Sequence, residues 1–173
     1  GLTHAAFGHR GQRTLSVSPL GVDTTLFTPD GERAPLTGNP CLLQVGSLAP
    51  VKDHRLSLTA FARVVERHPG ARLHIVGEGS LGAKLVARSA SLGLADRAVF
   101  HGDVPHHLLP PLYRAADLHI VSSRFESQSM AALEAAACGT GTVGTDVGIL
   151  PDLGAAAVTS PVDDPDAMAE ILL

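Results

Sequence analysis

Tryptophan is absent from this chain, and aromatic residues make up only 3 % of it. A core for 173 residues, 45 % of them apolar, must therefore come mainly from Leu, Val and Ala. Positive charge is also scarce: 13 Lys and Arg stand against 17 Asp and Glu, a net charge of −4. That balance argues against the basic surface with which a protein holds nucleic acid or an anionic membrane. Only two cysteines are present, Cys41 and Cys138, far apart and without metal-ligand spacing. They are expected as small buried thiols in a reducing compartment, the cytoplasm, and not as a disulfide. No apolar run is long enough to span a bilayer, and no signal peptide is visible. Gly1 stands where a starting Met would, which predicts a fragment or a processed chain. The length fits one domain.

What is present is regular alternation. Short apolar segments at Thr14–Ser18, Cys41–Gly46, Arg72–Val76, Ala98–His101, Leu118–Val121 and Gly141–Gly144 are expected as strands. Helical periodicity falls between them. Leu56, Ala60, Phe61, Val64 and Val65 share one face from about Asp53 to His68, and Leu81, Leu85 and Leu92 line a second helix that Gly93 stops. Leu108, Leu112 and Ala115 suggest a third, confined by Pro110 and Pro111 to its later part. Met130 to Cys138 is a fourth, ended by Gly139, and Asp164-Pro165 opens the last as N-cap and first helical residue. Strands alternating with helices predict an α/β fold, a Rossmann-like parallel sheet with helices on both faces. Residues Thr28 to Asn39, rich in Pro, Gly and charge, are expected as a surface connection.

Two carboxylates, Glu126 and Glu134, stand on either side of the last strand-to-helix turn but one. Glu126 falls on the loop after Leu118–Val121, and Glu134 about two turns into the following helix. In an open α/β sheet ligands bind at this carboxyl edge. The helix start between the glutamates offers free N–H groups to an anion. Two acceptors around an anion hole suit a ligand with both hydroxyls and phosphate. A second loop, Val45 to His54, reaches the same edge; there Gly46 permits close backbone approach, and Lys52 suits a diphosphate. His101-Gly102-Asp103-Val104 ends another strand there, and its backbone groups suit a base or ribose.

Other motifs carry less. Gly77-Glu78-Gly79-Ser80-Leu81-Gly82 matches G-x-G-x-x-G, but it opens the third strand–helix unit, and neither Asp96 nor Asp103 clearly ends the next strand. It is read as a tight turn lining the cleft. Asp164-Pro165-Asp166 spells D-x-D; capping of the last helix explains it, and no metal is assigned. None of the nine His residues pairs at i, i+4 with a carboxylate on an expected helix, as a metalloenzyme helix would show, and His106-His107 is expected as exposed loop. Ser122, Ser123 and Ser129 lack the G-x-S-x-G context of a hydrolase nucleophile.

Three stretches together resemble the carboxyl-terminal half of a GT-B fold glycosyltransferase, of the retaining kind grouped as family 4 (group 1). Ser18-Pro19-Leu20-Gly21-Val22-Asp23 with Phe27 and Pro29 is similar to that family's opening segment. Gly46 to Lys52 is similar to its phosphate loop. Glu126 to Glu134, continued by Ala135 to Thr140, is similar to its E-x7-E signature. The resemblance implies a nucleotide-sugar donor held without a metal or other cofactor. Lys52 would bind the diphosphate, Glu134 the ribose hydroxyls, and Glu126 would face the transferred sugar. Lys52 and Glu126 are then the catalytic candidates. Gly46, Ser47, Gly102, Asp103, Val104, Ser127, Gln128, Ser129 and Met130 complete the substrate-binding set.

Residues 1–13 would be an inter-domain connection and 14–173 the donor-binding domain. The acceptor-binding amino-terminal domain would be a separate partner, and any membrane association would come through it. The fragment alone would then be inactive. Three departures stand out: Ser47 replaces a frequent arginine, Gln128-Ser129 a phenylalanine-glycine pair, and Gly141 a proline. Arg55 and Arg124 are candidates to replace the missing guanidinium. The alternatives are a degenerate, non-catalytic module of the same fold, an epimerase acting on a nucleotide sugar, and a phosphorylase. The last would need Lys84, mid-helix and poorly placed, for a pyridoxal group.

Overall fold

The computed structural model describes residues 18–173. The connection expected over residues 1–13 lies outside them, as does all but the last residue of the strand expected at Thr14–Ser18. Among the described residues six strands form one sheet: β1 (Cys41–Val45), β2 (Arg72–Val76), β3 (Ala98–Phe100), β4 (Leu118–Val121), β5 (Thr142–Thr145) and β6 (Ala157–Ser160). Every pair is parallel, in the order β3-β2-β1-β4-β5-β6. Parallel neighbours need crossovers, and five helices are threaded among the strands: α1 (His54–Arg67), α2 (Gly82–Ser91), α3 (Pro110–Ala115), α4 (Met130–Ala137) and α5 (Pro165–Leu172). Strand order reverses at β1 and β4, whose neighbouring ends form the topological switch point.

Alternation along the central strands divides the core in two. Leu42, Leu73, Ile75 and Ile120 face a cluster with Leu56, Phe61 and Val64 of α1, Leu85 of α2, and Met168 and Leu172 of α5. Leu43 and Val76 face the other layer, with Tyr113 of α3, Ala135 of α4, Cys138 and Phe27. The scarce aromatics are spent centrally, since Tyr113, Phe27 and Phe61 are the largest fully buried side chains. Both cysteines are free and buried, as expected.

Several boundaries differ from the sequence expectation. β1 and β3 stop one residue early, and β5 begins and ends one late. Helix α3 begins at Pro110 instead of after the prolines, because its first positions need no N–H. Strand β6 was not expected. The connection over residues 28–39 runs over the surface but is strapped down. Arg114, 8 % exposed, donates from Nε to Glu32 O at 2.8 Å and from Nη1 to Thr28 O at 3.1 Å. No helix among the described residues is long and apolar enough to cross a membrane.

Candidate functional site

The loops after β1 and β4 meet at the switch point, and a buried polar chain joins them. Ser57 Oγ of α1 donates to Gln44 Oε1 at 2.6 Å, and Gln44 Nε2 donates to Ser122 Oγ at 2.8 Å. Ser122 Oγ in turn donates to the backbone oxygen of Lys52 at 2.8 Å. All three side chains are at most 3 % exposed, so each polar group needs its neighbour and the chain fixes the Lys52 backbone to the end of β4. The Lys52 ammonium then reaches Glu126 Oε1 at 2.6 Å, where Ser123 Oγ also donates at 2.7 Å. Their side chains are 28 % and 11 % exposed, at a cavity also lined by Gly46, His54 and Ser129.

Helix α4 starts at this cavity. Its N-cap Ser129 is left-handed, φ +72°, and makes no side-chain capping bond, so the first-turn N–H groups are left for an anion. A serine here carries the steric cost a glycine avoids. From the far side Gly148, φ +58°, comes close enough that a Cβ would stand 2.8 Å from Glu126 Cβ, and Ile149 N donates to Gln128 O at 3.3 Å. The loop after β5 thus buttresses the glutamate loop.

Glu134 lies deeper, its side chain 7 % exposed. Tyr113 Oη donates to its Oε2 at 2.8 Å, and His106 Nε2 donates to its Oε1 at 2.7 Å. Burial, then the Glu134 charge, pushes the Tyr113 hydroxyl well above its usual pKa, so it stays a donor at working pH. His106 is exposed, as expected, but it is not a free loop side chain. It sits on a single 3-10 turn (His106–Leu108) and is 64 % exposed, yet it is tied to Glu134 and tilted on Phe27 with ring centroids 5.0 Å apart. It opens onto a second cavity with Gly46, Ser47, Asp103 and Val104. Gly46 lines both cavities.

The remaining sequence candidates divide. Gly102 lines a further hollow with Leu48 and Gly77 to Gly79. Ser127 is exposed, Met130 half-buried, and the Gln128 side chain turns outward to accept from Leu20 N at 2.8 Å. Neither arginine takes the place of the one missing at Ser47. Arg124 donates to Asp53 Oδ2 at 2.9 Å and pairs with Asp163, which raises its pKa. Arg55 stands 3.9 Å from Asp53, and both border a hollow outside the Lys52 cavity. His54 was not singled out by sequence. It is 1 % exposed with both ring nitrogens unpaired, and burial, then Lys52, lowers its pKa to about 4.

The G-x-G-x-x-G segment is the tight turn expected. Gly46 N donates to Val76 O at 2.9 Å and Leu48 N to Glu78 O at 2.8 Å, so two loops interlock backbone to backbone. A Cβ on Gly77, φ +134°, would overlap the carbonyl oxygen of Gly46. Gly77→Ala is therefore expected to destabilise by about 3 kcal/mol or more, strain and backbone overlap together. Urea titration checks this, and a loss below about 1 kcal/mol would contradict it. Asp164 caps α5 through Oδ1, accepting from Asp166 N at 3.1 Å and Ala167 N at 2.9 Å, while Asp166 pairs with Arg63. Among the described residues no three His, Cys, Asp or Glu side chains gather as metal ligands.

Comparison with known proteins gives this edge a context. A family profile described as "Glycosyl transferases group 1" matches residues 31–172. A D-inositol 3-phosphate glycosyltransferase of Segniliparus rotundus is 39 % identical over 148 residues, covering 79 % of this chain and 33 % of that protein. The chain spans about a third of the length of the curated relatives it matches. A sucrose-phosphate synthase from Thermosynechococcus elongatus superposes with a TM-score of 0.77 at 28 % identity, over 89 % of this chain and 41 % of that one. HepE of Anabaena, solved with UDP-glucose, superposes with a TM-score of 0.75 over 88 % of this chain and 45 % of that one. At 22 % identity it is a likeness of fold.

Proposed function

Because the chain belongs to the glycosyl transferases group 1, we propose that it is the nucleotide-sugar donor-binding unit of a retaining, family 4 glycosyltransferase. It forms the carboxyl-terminal half of a GT-B fold, with residues 14–173 as the domain and residues 1–13 as the connection to it. It works with an amino-terminal acceptor-binding domain and is inactive alone. The observation that carries this reading is the convergence of Lys52, Glu126 and the α4 N-terminus at the switch point, with Glu134 held behind His106 at the second cavity. The sucrose-phosphate synthase likeness and the UDP-glucose held by the HepE fold agree with it. Two free, buried cysteines favour a cytoplasmic setting.

The chemistry follows from the charges. In glycosyl transfer the bond from the sugar's anomeric carbon to the diphosphate breaks through an oxocarbenium-like state, and negative charge grows on the departing phosphate. Lys52 and the free N–H groups of α4 face that charge, and no metal ion is required. Glu126 faces the sugar, where a carboxylate steadies developing positive charge. Glu134 receives the ribose hydroxyls, and the loop at Asp103-Val104 borders the base. NMR titration with UDP, GDP and ADP tests the assignment: resonances near Lys52 and Glu134 are expected to shift with at least one. No response to any of the three would sink it. Ser47, which removes a cationic partner of the diphosphate, favours a second reading, a degenerate module without catalysis. Under that reading Glu134→Ala in the full-length protein would leave donor affinity unchanged.

A further inference from the structure

Glu134 is already occupied. Its two carboxylate oxygens hold two donors of different character, and the difference carries an inference. Tyr113 is 0 % exposed, seated in the core between Phe27 and His119, and cannot leave Oε2 without opening the layer beneath α3 and α4. His106 stands on a three-residue turn after Pro105, its ring 64 % exposed, and leaves Oε1 by a side-chain rotation. Yet with both in place the Glu134 side chain is 7 % exposed. A hydroxyl arriving from the cavity shared by Gly46, Asp103 and Val104 meets the imidazole that borders it, with the carboxylate behind.

We infer that His106 is a removable cover on Glu134, occupying through Oε1 the acceptor that a ribose hydroxyl takes when a nucleotide binds. This rests on the donor-binding reading of the cleft. The exchange replaces one hydrogen bond to a carboxylate by another and gives up the tilted contact of His106 with Phe27. Only the open fraction of molecules offers the free carboxylate, so apparent affinity is the intrinsic affinity reduced by that fraction. His106 thereby sets nucleotide affinity without adding a contact to the phosphates. Inorganic diphosphate, which has no ribose and binds at Lys52 and α4, does not feel the cover.

Calorimetric titration of the whole 173-residue chain and its His106→Ala and His106→Gln variants with UDP, GDP, ADP and inorganic diphosphate tests this. His106→Ala is expected to bind any nucleoside diphosphate that the wild type binds about three- to tenfold more tightly. Inorganic diphosphate affinity stays unchanged. His106→Gln, whose amide restores a donor of similar reach, stays within about twofold of wild type for both ligand classes. A purely structural loss would lower affinity instead of raising it. Unchanged or weaker nucleotide binding by His106→Ala overturns the inference and leaves the donor-binding reading standing. An equal gain for inorganic diphosphate also overturns it, as a general widening of the cleft. If none of the three nucleotides binds the wild type, the donor-binding reading falls and the cover with it.

Discussion

Lys52→Ala is expected to weaken nucleoside diphosphate binding by about 10- to 100-fold, the equivalent of one charge-assisted contact of roughly 1.5–3 kcal/mol. Two effects add. The variant loses the cation proposed to meet the diphosphate, and it leaves the Glu126 carboxylate without its ammonium partner at the mouth of the same cavity. An uncompensated carboxylate then opposes an incoming dianion. Serine at position 47 sharpens the effect, because no guanidinium stands beside the lysine and Arg124 is held by Asp53 and Asp163. Adding Glu126→Gln to the Lys52→Ala variant is expected to recover part of the loss, since it removes the repulsion and keeps the shape. Calorimetry over this double-mutant cycle checks both statements. Strictly additive losses would separate Glu126 from the phosphate charge, and an unaffected Lys52→Ala would remove Lys52 from the site.

Acid is expected to unfold the chain through two buried histidines. Burial lowers the pKa of His119 to about 3, and burial, then Lys52, lowers that of His54 to about 4. Both rings carry unpaired nitrogens, at His119 Nε2 and at both positions of His54, so neither has acceptors for both N–H groups of the charged form. In the unfolded chain each titrates near the ordinary value of about 6.5. The unfolded state therefore binds more protons between these limits. Stability is fully present above about pH 6.5 and is lost as the pH falls toward the folded values. Each histidine contributes about 1.4 kcal/mol per pH unit inside its window, so the slope between about pH 6 and 4.5 is expected at roughly 2–3 kcal/mol per unit. His119→Phe, similar in volume and without a titrating nitrogen, is expected to halve it. Urea unfolding at a series of pH values measures the slope, and a flat profile down to pH 5 would contradict the account.

How much of this was legible in the chain depends on distance along it. Arg72–Val76 and Leu118–Val121 are bounded apolar runs, and β2 and β4 fall on them. Strand β6 escaped because Ala157–Ser160 pairs along one side only and leaves Val158 54 % exposed, so its composition carries no buried-strand pattern. Lys52, Glu126 and Glu134 could be placed at the carboxyl edge because a strand followed by a loop and a helix fixes that edge locally. Their partners could not. Tyr113 and His106 reach Glu134 from 21 and 28 residues away, and Arg124 reaches Asp53 from 71, separations no periodicity encodes. The histidine pair read as a loop because its sequence holds no helical pattern, while its role comes from where α3 lies against α4.

The position of β1 in the middle of the sheet also dictates when the cleft comes into being. As the chain leaves the ribosome, β1 can pair with β2 early. Its other side waits for β4, the strand pairing that closes the longest stretch of sequence, with Leu42 opposite Leu118. Closing that loop carries the largest entropic penalty of any strand pairing here and is rewarded only once both central strands exist. Lys52 and Glu126 belong to the two sides of this late junction. A nascent chain therefore does not hold the proposed donor cleft until β4 docks, and a nucleotide bound there would stabilise only the finished sheet. It acts by draining the unfolded population and not by guiding the early steps of folding.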